Sequence, residues 1–534
     1  MEDTYDFIVV GAGSAGCALA ARLSEDGRHT VLLMEAGGSD RRFMVRMPLG
    51  YGKVFHDARV NWKFETEPVP GLNGARSYWP RGKVLGGSSS INAMVYVRGH
   101  PSDYDGWRVP GWDWASVAPV FRRMEDWHDG GDQIRGTGGP LSVTDTTGTV
   151  HPLCETYFDA CAEIGIPRAA DYNGAEMEGA ALYQITTKDG WRASAARAYL
   201  DPARQRRNLR ILTRTHAERV EISEGRATGV RYRRRGRMHT AHARREVILS
   251  AGAIGSPHLL LLSGIGPGET LARHGIPVIR DAPGVGQGLQ DHLGYDHLYR
   301  ATVPTMNEML RPWHGKLRQG LRFLATRTGP LALSLNQAGG FVTLNGGAAP
   351  DIQLYFSPVS YTRAPVGTRP LMSPDPFPGF LLGFNPCRPT SRGHLTLRGR
   401  DPVAPPEIHP NYLDTEHDRR LMIDGTRLIR RLAATEAFAK VMDRRIQPGD
   451  DDATDDAILA HVRDHAWTVF HPCGTCRMGA DDGAVVDPAL RVRDIANLRV
   501  ADASIFPAVP SGNTNAPSIM AGERGADLVM GGER

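Results

Sequence analysis

The first 35 residues restrict this chain more than any other stretch. Phe7-Ile8-Val9-Val10 is a short, fully apolar run of the kind that forms a buried parallel strand. Gly11-Ala12-Gly13-Ser14-Ala15-Gly16 follows without a gap, and Cys17 to Leu23 reads as a helix kept slim by Ala20 and Ala21. A second buried run, Thr30 to Met34, ends in Glu35. Strand, glycine turn, helix, strand and acid, in that order, make a dinucleotide-binding unit. Gly11 permits the tight turn, Gly13 lets a pyrophosphate approach the backbone, and Gly16 lets helix and strand pack closely. Ser14 and Ala15 open the helix whose N-terminus faces the phosphates. Glu35, followed by Ala36, is placed to accept from a ribose hydroxyl, and an acid there favours a ribose without a 2′-phosphate. By itself the unit leaves NAD and FAD open.

The rest of the composition narrows the class. At 534 residues, the chain has room for two or three domains. Its 41% apolar and 23% charged residues exclude a disordered or collagen-like polymer. The 63 Lys and Arg exceed the 59 Asp and Glu by only four, too few to call for a nucleic-acid or membrane partner. The basic run Arg231-Tyr232-Arg233-Arg234-Arg235-Gly236-Arg237 reads as a solvated hairpin, and Asp450 to Asp456 as a solvated acidic loop before a helix. Six cysteines in such a length suit a reducing compartment. The acidic start Met1-Glu2-Asp3 runs straight into a strand, which predicts no signal peptide. No apolar run approaches the ~18–20 residues that span a bilayer, His258 to Ile265 being the nearest. The expectation is a cytoplasmic protein, peripherally attached to a membrane at most.

Beyond the first unit, Arg81-Gly82-Lys83-Val84-Leu85-Gly86-Gly87-Ser88-Ser89-Ser90-Ile91-Asn92 resembles the first signature of the glucose–methanol–choline (GMC) oxidoreductases. The stretch Gly252-Ala253-Ile254-Gly255-Ser256-Pro257 through Gly266 resembles the second. Pro283-Gly284-Val285-Gly286, Leu289-Gln290-Asp291-His292 and Ser391-Arg392-Gly393-His394 are also similar to family segments. The likeness runs to His471-Pro472-Cys473-Gly474-Thr475-Cys476-Arg477-Met478-Gly479 and Asn513-Thr514-Asn515-Ala516-Pro517, so it spans the chain in order. It implies FAD, with Val84, Gly87, Asn92 and Val95 along the flavin and Asp502-Ala503 as a further contact. Some family members bond the flavin to a His in the first signature. Ile91 stands at that position here, which implies a non-covalent FAD.

The resemblance also implies an α/β fold, α+β overall. A Rossmann-like FAD-binding domain would be discontinuous over 1–155, 205–300 and 465–534. A substrate-binding domain over 156–204 and 301–464 would rest on a mainly antiparallel sheet with helices. Asp351 to Phe356 and His394 to Arg398 alternate in the two-residue rhythm of a sheet with one covered face.

Oxidising an alcohol requires a base for the hydroxyl proton, a hydride acceptor and a donor that steadies the alkoxide. The resemblance implies His471, after an expected helix from Ala453 to about Ala466, as the candidate base, and a neutral imidazole can accept a proton near neutral pH. Asn513 is the candidate donor, because its amide serves the substrate oxygen without competing for the proton. Asn515, opening a helix that continues to about Met530, is directed at the flavin. The Cys473 and Cys476 pair reads as structural thiols, because no second ligand pair for zinc follows, and no metal site is expected. The resulting expectation is oxidation of a primary alcohol to an aldehyde, with oxygen or a quinone-like carrier as electron acceptor. A hydroxynitrile-lyase-type enzyme of the same fold and a polyol or sugar dehydrogenase are the alternatives. Substrate selection would fall to second-domain side chains such as Phe470, Tyr355 or Phe356.

Overall fold

The computed structural model describes residues 3–344, 346–361, 373–449 and 454–531. Two seven-stranded sheets organise them. In the first, the opening strand Thr4–Val10 lies between Val31–Glu35 and the long strand Arg237–Leu249, parallel to both. Leu209–Thr213 adds a further parallel strand beside Val31–Glu35, and Leu498–Val500 pairs in parallel with Val247–Leu249. Buried on both faces, these strands carry the unbroken apolar runs seen in the sequence. The basic run forms the hairpin of Arg226–Arg234 with Arg237–Leu249, turning at Arg235 and Gly236, both at positive φ.

Glycine sets how closely the first unit packs. A methyl group at Gly16 would sit 1.9 Å from the Gly11 carbonyl oxygen, and one at Gly87 would meet the Gly13 Cα at 2.6 Å. The two glycine-rich turns, whose contacting glycines Gly13 and Gly87 are 74 positions apart, therefore touch backbone to backbone. Gly522, on the helix Asn515–Gly531, seats that helix against Ala15 of the helix Ser14–Leu23 in the same way.

The second sheet is antiparallel, in the order Met442–Gln447, Leu293–Ala301, Gly379–Pro386, Ile352–Ser357, Ala338–Val342 and Gly179–Leu182. Alternation along its strands makes two distinct faces. Leu354, Phe356, Leu382 and Phe384 share one, which the helix Glu416–Ala433 covers with Gly425 against the Phe384 ring. Gln353, Tyr355, Leu381, Gly383 and Asp296 share the other, which looks toward the first sheet. All six residues of Ile352–Ser357 are buried, so the expected one-covered-face pattern is corrected: the second face roofs a cavity instead of meeting solvent. Gly393–Thr396 lies outside this sheet, in a small three-stranded one with Gln287–Leu289 and Glu407–His409.

Among the described residues, the strand Leu293–Ala301 pairs only within the second sheet, whose seventh strand, Trp467–Thr468, meets its start. An expected domain boundary at residue 300 would cut this strand, and its pairing moves the change of sheet to just after His292. The helix expected from Ala453 is Asp455–His465, capped by Thr454. The acidic loop falls largely on residues 450–453, outside the described ones. No helix among the described residues is long and apolar enough to cross a membrane.

Replacing Gly16 by Ala forces the Gly11 turn and the helix apart. We expect a loss of about 1–3 kcal/mol of stability and a reduced flavin-to-protein ratio, read by thermal melting and by the absorbance of purified protein.

Candidate active site

A single cavity of about 900 Å³ runs between the two sheets, and its wall includes both Glu35 and His471. Of the residues singled out in the sequence, Gly11, Gly13, Ser14, Ala15, Glu35 and Ala36 lie along it. Gly87, Asn92, Val95, Asp502, Ala503, His471, Asn513 and Asn515 do so too. Two do not. Gly16 faces the Gly11 carbonyl, and Val84 is buried in an apolar cluster with Tyr51 and Ile91.

At the Glu35 end, the groups suit a dinucleotide. The helix Ser14–Leu23 starts after Gly13 with no side-chain cap, so its first-turn amides remain open to an anion. Glu35 accepts from the amides of Ala12 at 3.1 Å and Gly37 at 2.7 Å, one on each carboxylate oxygen. Each oxygen keeps a second lone pair for a hydroxyl. Burial pushes the Glu35 carboxyl up to about 7, against the pull of those two amides. Asn515 accepts from the Ser14 hydroxyl at 2.8 Å, which ties the starts of two helices together. The Asp502 carboxylate accepts from the amides of Gly252 and Ser504 and from the Ser256 hydroxyl, holding the helix Gly252–Leu262 at the wall.

At the other end, the pairing of Trp467–Thr468 with Leu293–Gly294 carries on past the strands. Val469 donates to the His292 carbonyl, and Cys473 and Gln290 exchange backbone hydrogen bonds. This antiparallel contact sets His471 opposite His292, with Nδ1 atoms 2.9 Å apart and rings nearly perpendicular. Phe470, at φ +70°, turns the chain sharply just before His471. The turn is held from three sides: Arg81 donates to the Phe470 carbonyl at 2.6 Å, Phe470 N–H donates to Thr468 Oγ1, and His471 N–H donates to Asp291 at 2.6 Å.

The hydrogen-bond chain assigns the tautomers. The Cys387 carbonyl only accepts, so His292 Nε2, 2.9 Å away, carries a hydrogen. Neutral His292 then accepts at Nδ1, so His471 donates from its own Nδ1. That leaves the lone pair of His471 on Nε2, where it accepts from the Asn513 amide at 3.1 Å. The Asn513 oxygen in turn accepts from Gln353 at 3.2 Å, and the Tyr355 hydroxyl lies within reach of both Gln353 and Asn385. Burial keeps both imidazoles neutral: it lowers His292 to about 4 and His471 well below the usual histidine value, with His292 and Arg81 adding to the latter. Burial lifts Asp291 to about 6, opposed by Thr468, Tyr412 and Arg81.

The structure separates the candidate substrate-selecting aromatics. Tyr355 and Phe470 lie in the wall, whereas Phe356 points to the opposite sheet face and stacks on Tyr157. Three residues that sequence reasoning did not single out support the site. His292 and Arg81 act as described above. The third, buried Arg192, donates to Asn92 at 2.7 Å and to the carbonyls of Ser89 and Val45, fixing the Gly87–Ser90 turn. His292 and Arg81 stand inside family-like segments, which was the available signal, whereas nothing marked Arg192. Cys473 and Cys476 are fully buried outside the wall, with burial pushing both thiols up.

Family models described as GMC oxidoreductase match residues 5–294 and 389–522. An oxygen-dependent choline dehydrogenase of Vibrio vulnificus is 43% identical over 541 residues, covering 99% of this chain and 95% of the relative. The mitochondrial choline dehydrogenase of Mus musculus is 42% identical, covering 99% and 90%. Among solved structures, pyridoxine 4-oxidase from Mesorbium loti superposes with a TM-score of 0.87 at 32% identity, covering 98% of each chain. A formate oxidase superposes with a TM-score of 0.92 at 27% identity, covering 99% of each. FAD is the cofactor typical of the matched family, and the open helix amides, glycine backbones and Glu35 carboxylate fit its pyrophosphate and ribose.

Glu35→Gln replaces one of two acceptors by a donor facing an amide. FAD affinity of the apoprotein should fall by about tenfold. The gap from wild type should widen as pH rises through about 7, where the native carboxyl ionises; fluorescence titration with FAD measures both.

Proposed function

The chain belongs to the GMC oxidoreductase family, and from that premise we propose that it oxidises a primary alcohol to the aldehyde with His471 as the base. The observation that carries this reading is the placement of the His471 Nε2 lone pair beside the Asn513 amide in the cavity wall. FAD, when bound, supplies the acceptor for the hydride that leaves the carbinol carbon. The side chains handle the proton. The substrate hydroxyl takes the place of the Asn513 N–H at Nε2 and gives its proton to that lone pair. Asn513 then donates to the substrate oxygen, which steadies the negative charge as the proton leaves. His292 acts as a positioning residue, since its Nδ1 holds the His471 hydrogen on the far side of the ring. The wall supplies the rings of Tyr355, Trp467 and Phe470, a surface that favours a cationic alcohol. Choline, the substrate in the names of the similar dehydrogenases, therefore heads the list to test.

The deciding experiment is anaerobic mixing of holoenzyme with choline, benzylic, aliphatic and polyol alcohols. Bleaching of the flavin by one of them supports oxidation, whereas a lyase would turn over its substrate with the flavin still yellow. His471→Ala should keep FAD and lose reduction by at least about a thousandfold. Oxygen consumption during turnover separates oxygen from a quinone-like carrier as acceptor.

The acid limb of kcat/KM tests the imidazole pair. His471 accepts a proton only when neutral, and its pKa lies well below 6.5. The wild-type profile should therefore be flat from about pH 6.5 upward and fall only in acid. His292→Ala removes one cause of that depression, so the limb should move to higher pH and activity at pH 7 should drop about 10–100-fold. His292→Asn, which keeps an acceptor for Nδ1–H, should recover part of it.

We also propose that the FAD is held without a covalent bond, because Ile91 offers no nucleophile where it lines the cavity. Acid precipitation should leave all the flavin in the supernatant. Yellow colour retained in the pellet would refute this.

A further inference from the structure

Five of the twelve exposed large apolar side chains among the described residues lie on one helix or just before it. Trp313, Leu317, Leu321 and Leu324 lie on the helix Trp313–Thr326, exposed at 75%, 54%, 59% and 53%. Met309 precedes the helix, and on its inner side the Phe43 ring packs against Phe323. The helix meets the protein through a thin stripe, Gly315, Gln319 and Phe323. At ~100° per residue, the four exposed apolar side chains fall within an arc of about 80° roughly opposite that stripe. This amphipathic helix thus turns its apolar side away from the core.

Its charges complete the pattern. Residues 309–327 contain Arg311, Lys316, Arg318, Arg322 and Arg327 and no acidic residue. Lys316, Arg318 and Arg322 are exposed and flank the leucine stripe. A tryptophan and leucines on one side with cations beside them are what an anionic lipid surface recognises. At 14 residues the helix is too short to span a bilayer. Self-pairing of this face would bring two sets of cations together, which disfavours a second copy as the occupant. The seat also adjoins the active site. Leu310 and Leu331 pack in one apolar cluster with Tyr51, Leu335 and Tyr361, and those last three line the cavity.

We propose that the helix Trp313–Thr326 lies in the headgroup layer of an anionic membrane, with its leucine stripe among the acyl chains. The proposal stands independently of the chemistry above. Full-length holoenzyme is to be co-sedimented with phosphatidylcholine vesicles, with and without phosphatidylglycerol, at low and high salt. Wild type is expected on the phosphatidylglycerol vesicles only, and less so at high salt. L317E/L321E and, separately, Trp313→Ser should weaken binding about tenfold or more. FAD content and turnover with a soluble dye acceptor should stay unchanged and so report an intact fold. Failure of wild type to bind the anionic vesicles would overturn the proposal, as would binding by both variants equal to wild type. So would sedimentation velocity showing a wild-type dimer that L317E/L321E converts to monomer, since a second copy of the chain would then own this face.

Discussion

A peptide carbonyl can accept a hydrogen bond but never donate one, and at Cys387 this restriction orders the whole candidate site. It places a hydrogen on His292 Nε2, which makes His292 Nδ1 an acceptor, which in turn directs the His471 lone pair to Asn513. Three rotatable side chains thereby share one protonation pattern without any charged group in the chain. Burial enforces it, because protonating either imidazole would put a cation in a largely desolvated position. The accepting atom of the candidate base is thus defined by an atom two residues removed from it in the network, on a segment that neither histidine belongs to.

What was legible in the sequence follows the range of each interaction. The dinucleotide unit could be read because its strand, turn, helix and acid succeed one another within 35 residues, and Gly16 answers a contact with Gly11 close by. His471 and Asn513 were found through family-like segments, whose order along the chain survives even though the contact between them is tertiary. Arg192 was not legible, because an arginine held by carbonyls and Asn92 has no local pattern. Tyr355 and Phe356 could not be told apart either. They are neighbours in the chain on opposite sides of a sheet, and only the partner strand says which side faces the cavity.

The second sheet explains why periodicity misled there. A strand with one face on a helical layer and the other over a cavity is buried twice, so polar residues such as Gln353 and Asn385 occupy positions that solvent would normally take. The Gln353 amide donates to Tyr183 and Asn513, and the Asn385 amide donates to the Pro386 carbonyl. The strand Leu293–Ala301 likewise carries its residues from one layer to the other directly after His292, which ties the catalytic candidates to the join between the sheets.

The helix Asn515–Gly531 lies against the helix Ser14–Leu23, formed from the opening 35 residues. During synthesis, that opening unit emerges from the ribosome long before the pieces that cover it. Much of its apolar helix face therefore waits, uncovered, for nearly the entire length of translation. Chaperones have that interval in which to act, and cofactor capture becomes a late event in the life of each new molecule.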